Sequence, residues 1–358
     1  MIQKQLAAAM LSVAVALCAA SNAAAAPETS APCVSARHAI LIDATTGETL
    51  YEKAADEEAL IASTTKIMTG LLICEVCDLS QEFRVPKEAV GIEGSSMYLK
   101  EGEVLHVQDL LYGMMLQSGN DAAVALAIAC DGSVERFVER MNARARELGL
   151  KGTQYANPNG LDHAENHSTA RDLAALTRCA LQNEAFYRTV STKTVHIGNR
   201  VISNHNKLLW RYPGAIGVKT GFTKAAGRIL VGAAERNGRR LISVTIYAPN
   251  DWSDHVKLFD YGFSGLEERQ LVQAGAVVAE VEILSGEKKT APLVAQTDVR
   301  FYLRPQETIR LKLLRPAFAY APVACGQYAG EAALMLGDTQ IARVSLSWGQ
   351  SVAQSGKK

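Results

Sequence analysis

Apolar residues recur at helical spacing in several stretches of the first two thirds of the chain. This period predicts helices over 107–116, 121–130, 134–148 and 251–263, one that begins near Ser63 and one that opens at Ser168. Clusters of strand-forming residues predict strands over 39–43 and 49–51 and a hairpin of 229–234 with 241–247. Helices and strands therefore mix in this part of the chain.

The pattern changes after Gly265. Apolar residues then alternate with charged ones, most clearly over 277–283 and 309–313. Short strands without a helical period predict a separate small β domain over 266–348, which follows a larger domain over 27–265. The last ten residues, 349–358, are predicted to be a disordered tail.

Residues 1–26 have the features of a secretory signal peptide. Lys4 precedes an apolar run over 6–20, which is too short for a stable membrane span, and 23–26 provide an A-x-A cleavage site. Cys18 raises the alternative of a lipoprotein, but its neighbours do not resemble the usual lipid-attachment site. We therefore expect an exported, extracytoplasmic protein, either at the cell wall and the outer face of the cytoplasmic membrane or secreted.

The charge balance argues against nucleic acid as a partner. The chain carries 37 Lys and Arg against 37 Asp and Glu, and cleavage of the signal would remove only Lys4. Such a chain lacks the basic excess of nucleic-acid-binding proteins. Residues 345–358 have too few apolar residues at helical spacing to hold a membrane interface. We expect at most peripheral membrane contact.

One predicted helix carries a chemically meaningful pattern. Ser63 lies at its start and Lys66 one turn later, so both side chains share a face, and apolar residues follow at once. A lysine in apolar surroundings can be neutral near pH 7, and a neutral amine can take the proton of a neighbouring hydroxyl. Taken alone, S-x-x-K is better explained as a capped helix with a lysine that reaches solvent.

Two further motifs favour the chemical interpretation. Ser118-Gly119-Asn120 lies between two predicted helices, and Lys219-Thr220-Gly221 precedes the hairpin. This set of three motifs is found in class A β-lactamases and penicillin-binding proteins. From about 39 to 263 the chain resembles the low-molecular-mass penicillin-binding proteins, which are serine D-Ala-D-Ala carboxypeptidases. Other stretches that carry the resemblance are 157–161, 168–170, 206–209, 217–223, 252–263 and, for the family's second domain, 321–326.

The resemblance implies the fold and the activity. The expected fold class is α/β (α+β), with the antiparallel sheet and helices of the penicillin-binding-protein and β-lactamase-like transpeptidase fold and a C-terminal all-β domain. The expected activity is that of a serine D,D-carboxypeptidase, a hydrolase that removes the terminal D-Ala from peptidoglycan pentapeptide stems through an acyl-enzyme. Stem peptides ending in D-Ala-D-Ala would be its substrates and β-lactams its covalent inhibitors, without a cofactor or metal.

The resemblance also assigns roles to the first two motifs. Ser63 would be the nucleophile that attacks the carbonyl of the penultimate D-Ala, and Lys66 would be its base. Ser118 would relay the proton to the departing amine, because one lysine cannot easily reach both sites. Asn120 would bind the substrate backbone through its amide.

The third motif is assigned to substrate binding. Lys219 would lower the pKa of the catalytic lysine and attract the substrate carboxylate, which Thr220 would hydrogen-bond. Gly221 would let the strand approach the substrate closely, and the N–H groups of the nucleophile and of Phe222 would hold the oxyanion. Several relatives have His where Phe222 stands, and some have Arg in the segment that corresponds to 204–206. How the carboxylate is bound beyond Thr220 is therefore open.

Other functions have less support. A β-lactamase on the same fold needs a deacylating base, and no E-x-x-L-N segment lies between the second and third motifs. A catalytically inactive wall-binding protein would have no reason to retain all three motifs. A zinc site at His163 and His167 lacks the H-E-x-x-H pattern, and Cys74-x-x-Cys77 lacks a second pair.

Six of the seven cysteines follow the signal segment, in a compartment that permits disulfides. Cys74 and Cys130 each lie about 15 Å along the helices that begin at the first and second motifs. If these helices run side by side, Cys130 comes near Cys74 or Cys77. We therefore predict a buried cluster of Cys130 with one of these two that can form a disulfide, and a free Cys179.

Overall fold

The computed structural model describes residues 30–356. The predicted signal peptide, 1–26, lies outside the described residues, and so do residues 357 and 358. The described chain forms two compact units that meet in sequence between Ser264 and Gly265.

Eleven strands are described in the first unit. In chain order they are β1 (His38–Asp43), β2 (Thr49–Lys53), β3 (Ala59–Leu60), β4 (Glu82–Arg84), β5 (Val104–His106), β6 (His167–Ser168), β7 (Thr194–Ile197), β8 (Arg200–Ser203), β9 (Ala215–Thr223), β10 (Gly227–Arg236) and β11 (Arg239–Ile246). Five of them form an antiparallel sheet in the order β2-β1-β11-β10-β9, so β9 is an edge strand. The predicted hairpin is confirmed as β10–β11. Asn237 and Gly238 join its strands with positive φ values of 52° and 74°, as a type I′ turn requires.

Helices cover both faces of this sheet. They are α1 (Lys66–Val76), α2 (Val107–Leu116), α3 (Asn120–Asp131), α4 (Val134–Glu147), α5 (Ala170–Ala180), α6 (Glu184–Ser191), α7 (Leu208–Arg211) and α8 (Asp251–Phe263), with 3₁₀ turns at Ala62–Thr65 and Lys87–Ala89.

The sequence of β1 reflects this double covering. Ile40 and Ile42 belong to the core that includes α1 to α6, whereas Ala39 and Leu41 belong to the core beneath α8. Every residue of β1 is buried. A strand buried on both faces needs a continuous apolar run rather than alternation, and that is what 39–42 provide.

The second unit is built from strands. They are β12 (Glu267–Val272), β13 (Val277–Leu284), β14 (Thr290–Ala295), β15 (Val299–Leu303), β16 (Ile309–Leu314), β17 (Phe318–Tyr320), β18 (Tyr328–Leu336) and β19 (Thr339–Trp348). Six form a sheet in the order β16-β18-β19-β14-β13-β17, and β12 pairs with β15. Its apolar residues make a core of their own, so the predicted C-terminal all-β domain is confirmed.

The prediction of a disordered tail is wrong for residues 349–356. Val352 is buried and bridges Val323, and Gln354 bridges Gly286. The Ser355 N–H donates to the Ser285 carbonyl at 2.8 Å. Backbone pairing, more than burial of side chains, therefore holds this polar segment. Within residues 30–356 no helix is long and apolar enough to cross a bilayer.

Candidate active site

The first motif lies where a tight turn leads into α1. Ser63 is partly exposed in the 3₁₀ turn Ala62–Thr65, and Lys66 is the fully buried first residue of α1. Ile67 and Met68 follow, and neither is exposed. Because α1 is apolar on most sides, the protein packs around it and encloses the lysine.

Three oxygen atoms surround the side-chain nitrogen of Lys66. Nζ lies 3.0 Å from Ser63 Oγ and 2.6 Å from Asn120 Oδ1, and it also contacts the carbonyl oxygen of Asn159. The first two motifs therefore meet at this nitrogen, although 54 residues separate Lys66 from Asn120.

Burial and charge both disfavour the ammonium form of Lys66. Burial lowers its pKa well below the usual range, the neighbouring Lys219 lowers it further, and Asp121 opposes the shift. Lys219 is also fully buried, which lowers its own pKa to about 7. Two buried cations repel each other, so the first to lose its proton is the more strongly shifted Lys66.

The second motif lies at the start of α3. Ser118 is buried and has a positive φ of 65°, and Asn120 is the first residue of the helix. The Asn120 amide is used at both ends, because Oδ1 accepts from Lys66 and Nδ2 donates to the Glu93 carbonyl at 2.6 Å. In this arrangement Asn120 positions the lysine, whereas the resemblance implied contact with the substrate backbone.

Sequence reasoning missed Asp121. Its carboxylate accepts hydrogen bonds from Ser96 Oγ at 2.6 Å, from the Met97 N–H at 3.0 Å and from the Leu99 N–H at 3.1 Å. These bonds fasten the 95–99 loop to the helix that carries Asn120. An acidic residue directly after S-x-N, in the first turn of a predicted helix, was the available signal.

The third motif lies on β9, the edge strand of the sheet. Lys219 Nζ donates to the Thr220 carbonyl at 3.0 Å. An ideal Cβ placed on Gly221 would lie 3.3 Å from the Ile61 carbonyl oxygen and 3.4 Å from the Ser63 nitrogen. The lack of a side chain therefore lets β9 run against the turn that carries Ser63, rather than only against a substrate. Phe222 follows and is 65% exposed.

A fourth segment contacts both the lysine and the turn that carries the nucleophile. Residues 157–161 form a turn in which Asn159 supplies the carbonyl to Lys66, and Gly160 has a φ of 86°. An ideal Cβ on Gly160 would lie 2.0 Å from the Ala62 carbonyl oxygen. The role of Asn159 was missed, because every residue has a backbone carbonyl and the residue type therefore gives no signal for this contact.

His205 lies close to the third motif. It is exposed at the surface, yet partial desolvation, followed by the nearby Lys219, lowers its pKa below the usual value. The backbone N–H of His205 donates to the carbonyl of Leu116, two residues before Ser118, at 2.9 Å. His205 therefore lies near Lys219 of the third motif and is joined by its backbone to the segment just before the second.

Comparison with known proteins agrees with this geometry. Residues 25–250 match the family described as D-alanyl-D-alanine carboxypeptidase, and residues 266–354 match the C-terminal domain of penicillin-binding protein 5. The chain belongs to the D-alanyl-D-alanine carboxypeptidase family. The family, fold class and enzyme class expected from the sequence are thereby confirmed.

Individual members of the D-alanyl-D-alanine carboxypeptidase family match most of the chain. DacF of Bacillus subtilis is 34% identical over 311 residues, which are 82% of this chain and 80% of DacF. DacD of Escherichia coli is 32% identical over 334 residues, covering 88% and 86% of the two chains. The structure of penicillin-binding protein 5 from Haemophilus influenzae is 29% identical, with a TM-score of 0.65 over 90% of this chain and 99% of that one.

Proposed function

We propose that this chain is an exported serine D,D-carboxypeptidase whose nucleophile is Ser63 and whose general base is Lys66. The observation that carries the proposal is the set of three oxygens around Lys66 Nζ. A neutral amine has two N–H donors and one lone pair. The Asn159 carbonyl and Asn120 Oδ1 can only accept, so they take both N–H groups. The lone pair is left facing Ser63 Oγ at 3.0 Å.

The orientation of Asn120 supports this assignment. Its Nδ2 donates to the Glu93 carbonyl, which must accept, so Oδ1 is the atom that faces Lys66. With Oδ1 there, the neutral lysine accepts the Ser63 hydroxyl proton as Oγ attacks the substrate carbonyl carbon. A new C–O bond forms and the carbonyl electrons move to its oxygen.

Backbone N–H groups stabilise the resulting oxyanion in this proposal. The proposed donors are the N–H groups of Ser63 and Phe222, and the close approach of Gly221 to the Ser63 nitrogen supports this choice. Collapse of the tetrahedral intermediate breaks the C–N bond, and Ser118 passes a proton from Lys66 to the departing D-Ala amine. Water then hydrolyses the ester and regenerates Ser63.

Substrate binding falls to Lys219, Thr220 and His205. Protonated Lys219 attracts the terminal carboxylate of the substrate, and the Thr220 hydroxyl donates to it. His205 lies in the segment where the resemblance left the carboxylate contact open and is near Lys219, so we assign its imidazole N–H as a further donor to the carboxylate. The substrate is a peptidoglycan stem peptide that ends in D-Ala-D-Ala. The signal peptide exports the chain to the compartment where this substrate lies.

A β-lactam carries its reactive amide in the same position, so we expect it to acylate Ser63 and remain there. Among the described residues, the oxygens that contact Lys66 are a hydroxyl, an amide and a backbone carbonyl. The Asp121 carboxylate is engaged by the 95–99 loop. Within residues 30–356 no carboxylate hydrogen-bonds Lys66 to serve as a deacylating base, which disfavours the β-lactamase alternative.

Two assays on the purified chain test the proposal. Release of D-Ala from a pentapeptide stem should be catalytic, and a fluorescent penicillin should label the chain and persist through a chase with unlabelled drug. Rapid loss of the label would identify a β-lactamase. Absence of both D-Ala release and labelling would identify an inactive wall-binding protein and overturn the proposal.

A further inference from the structure

Helices α1 and α3 are joined at the ends that carry the catalytic motifs. Lys66, the first residue of α1, donates to Asn120, the first residue of α3. Cys77 is eleven residues after Lys66 and Cys130 is ten after Asn120, so each lies about 15 Å along its helix. Two helices that touch at one end and run side by side bring these cysteines to the same level.

Cys77 and Cys130 are neighbours that pack against the same apolar core, and each thiol perturbs the pKa of the other. Both residues are partly exposed, at the C-terminal ends of their helices, and both are free thiols in this structure. Cys74 lies one turn earlier in α1 and is more deeply enclosed, which raises the pKa of its thiol to about 12. Among the cysteines of residues 30–356, Cys77 and Cys130 are therefore neighbours that are also partly exposed.

We propose that Cys77 and Cys130 form a disulfide that ties the far ends of the two catalytic helices together. The sequence left open whether Cys74 or Cys77 is the partner, and the matching positions of Cys77 and Cys130 along their helices favour Cys77. The inference concerns the scaffold and does not depend on the identity of the substrate.

Local charge favours the first step of oxidation at Cys77. Arg140 is bound to the Asp131 carboxylate by Nε at 2.9 Å and Nη2 at 2.6 Å, next to the cysteine pair. The neighbouring Cys130 thiol, together with this guanidinium, lowers the pKa of the Cys77 thiol, whereas the Cys77 thiol raises that of Cys130. A thiolate is the attacking species in thiol–disulfide exchange.

The oxidant is a disulfide, such as oxidised glutathione or a disulfide oxidoreductase of the exported compartment. The Cys77 thiolate attacks one of its sulfurs, forms a mixed disulfide and expels a thiolate. The Cys130 thiol loses its proton and attacks the Cys77 sulfur, which expels the second thiolate. The chain loses two electrons and two protons, and the oxidant disulfide is reduced to two thiols.

The bridge encloses the part of the chain that carries the second motif. The segment between Cys77 and Cys130 includes the 95–99 loop, Ser118 and Asn120. Closing so long a loop removes conformations from the unfolded chain, so the oxidised protein should melt at a temperature higher by about 5 °C or more. The active-site geometry is already formed in the reduced protein, so acylation by penicillin should change less than twofold.

The test uses the full-length chain incubated with oxidised glutathione, alkylated with iodoacetamide and mapped by mass spectrometry. We expect a Cys77–Cys130 peptide pair that reducing agent abolishes. Cys130→Ser should lose both the pair and the gain in melting temperature, while Cys74→Ser and Cys179→Ser keep them. Alkylation of both Cys77 and Cys130 after oxidation, or a bridge from Cys130 to Cys74, would overturn the proposal.

The same samples are labelled with fluorescent penicillin. Loss of labelling in every sample would count against the proposed function and leave the disulfide result unaffected. Labelling that persists while no bridge forms would count against the disulfide alone.

Discussion

At the scale of single residues, the chemistry depends on which of two buried lysines carries a proton. Both Lys66 and Lys219 are enclosed, and each lies near the other. Burial lowers the pKa of each, but the pKa of Lys66 is shifted further because the charge of Lys219 adds to the effect of burial. The site therefore holds a neutral base beside a cationic binding residue, which are the two states that the proposed reaction needs.

Replacement of the base should prevent rapid acylation while the protein still folds. Lys66→Ala should slow acylation by penicillin about a thousandfold or more, as expected for a nucleophile without its activator. Lys66→Arg is the matched control, since it keeps a long cationic side chain that cannot deprotonate. Stopped-flow acylation rates, with circular dichroism to verify folding, measure the effect. An arginine variant within tenfold of the parent would rule out Lys66 as the base.

The dependence of acylation on pH should have two limbs. Burial, followed by the charge of Lys219, lowers the pKa of Lys66, and kcat/KM should fall towards acid pH as the reactive neutral amine becomes protonated. The pKa of Lys219 is about 7, so attraction of the carboxylate should weaken as the pH rises above that value. Lys219→Arg keeps its charge at all these pH values and should move the alkaline limb upward. An alkaline limb that the substitution leaves in place would assign it to another group.

At the scale of elements, the catalytic turn depends on a close contact between two loops. Gly160 has positive φ, and its missing Cβ leaves room for the Ala62 carbonyl. Gly160→Ala should lower the free energy of unfolding by about 3 kcal/mol or more and slow acylation. The positive φ would strain an alanine backbone, and the added Cβ would also overlap the Ala62 carbonyl. Gly149→Ala is the control, since Gly149 also has positive φ but no atom within 4 Å of its Cβ position, and it should cost only about 1 kcal/mol. Equal losses in denaturant titrations would contradict the contact.

The packing of α8 on the sheet should make stability depend on pH. His255 is fully buried between Ser243 Oγ at 2.6 Å and Thr245 Oγ1 at 3.0 Å, and burial lowers its pKa to about 3. The unfolded chain binds a proton near pH 6.5 and the folded chain does not, so stability is complete above pH 6.5 and falls below it.

Between pH 7 and pH 5 this residue should remove about 2 kcal/mol of the free energy of unfolding. Denaturant titrations at the two pH values measure this decrease in the free energy of unfolding. In the His255→Gln variant the decrease should be smaller by about the 2 kcal/mol that His255 contributes. Equal losses in parent and variant would show that His255 is protonated in the folded state.

At the scale of the whole molecule, the sequence predicted elements better than contacts. The helices Val107–Leu116 and Asp251–Phe263 begin and end as expected, because polar residues interrupt their apolar period cleanly at both ends. The three motifs were recognisable from residue type and order. The Asn159 carbonyl and the Gly160 contact could not be predicted, because they join segments about a hundred residues apart through backbone atoms.

The central claim is that Lys66 activates Ser63 as the nucleophile. Mass-spectrometric peptide mapping of the chain after reaction with penicillin at pH 7 tests it most directly. We expect the mass of one intact penicillin on the peptide that contains Ser63, and none on a Ser63→Ala variant that melts at the parent temperature. An adduct on any other residue, or a Ser63→Ala variant that reacts at the parent rate, would contradict the account.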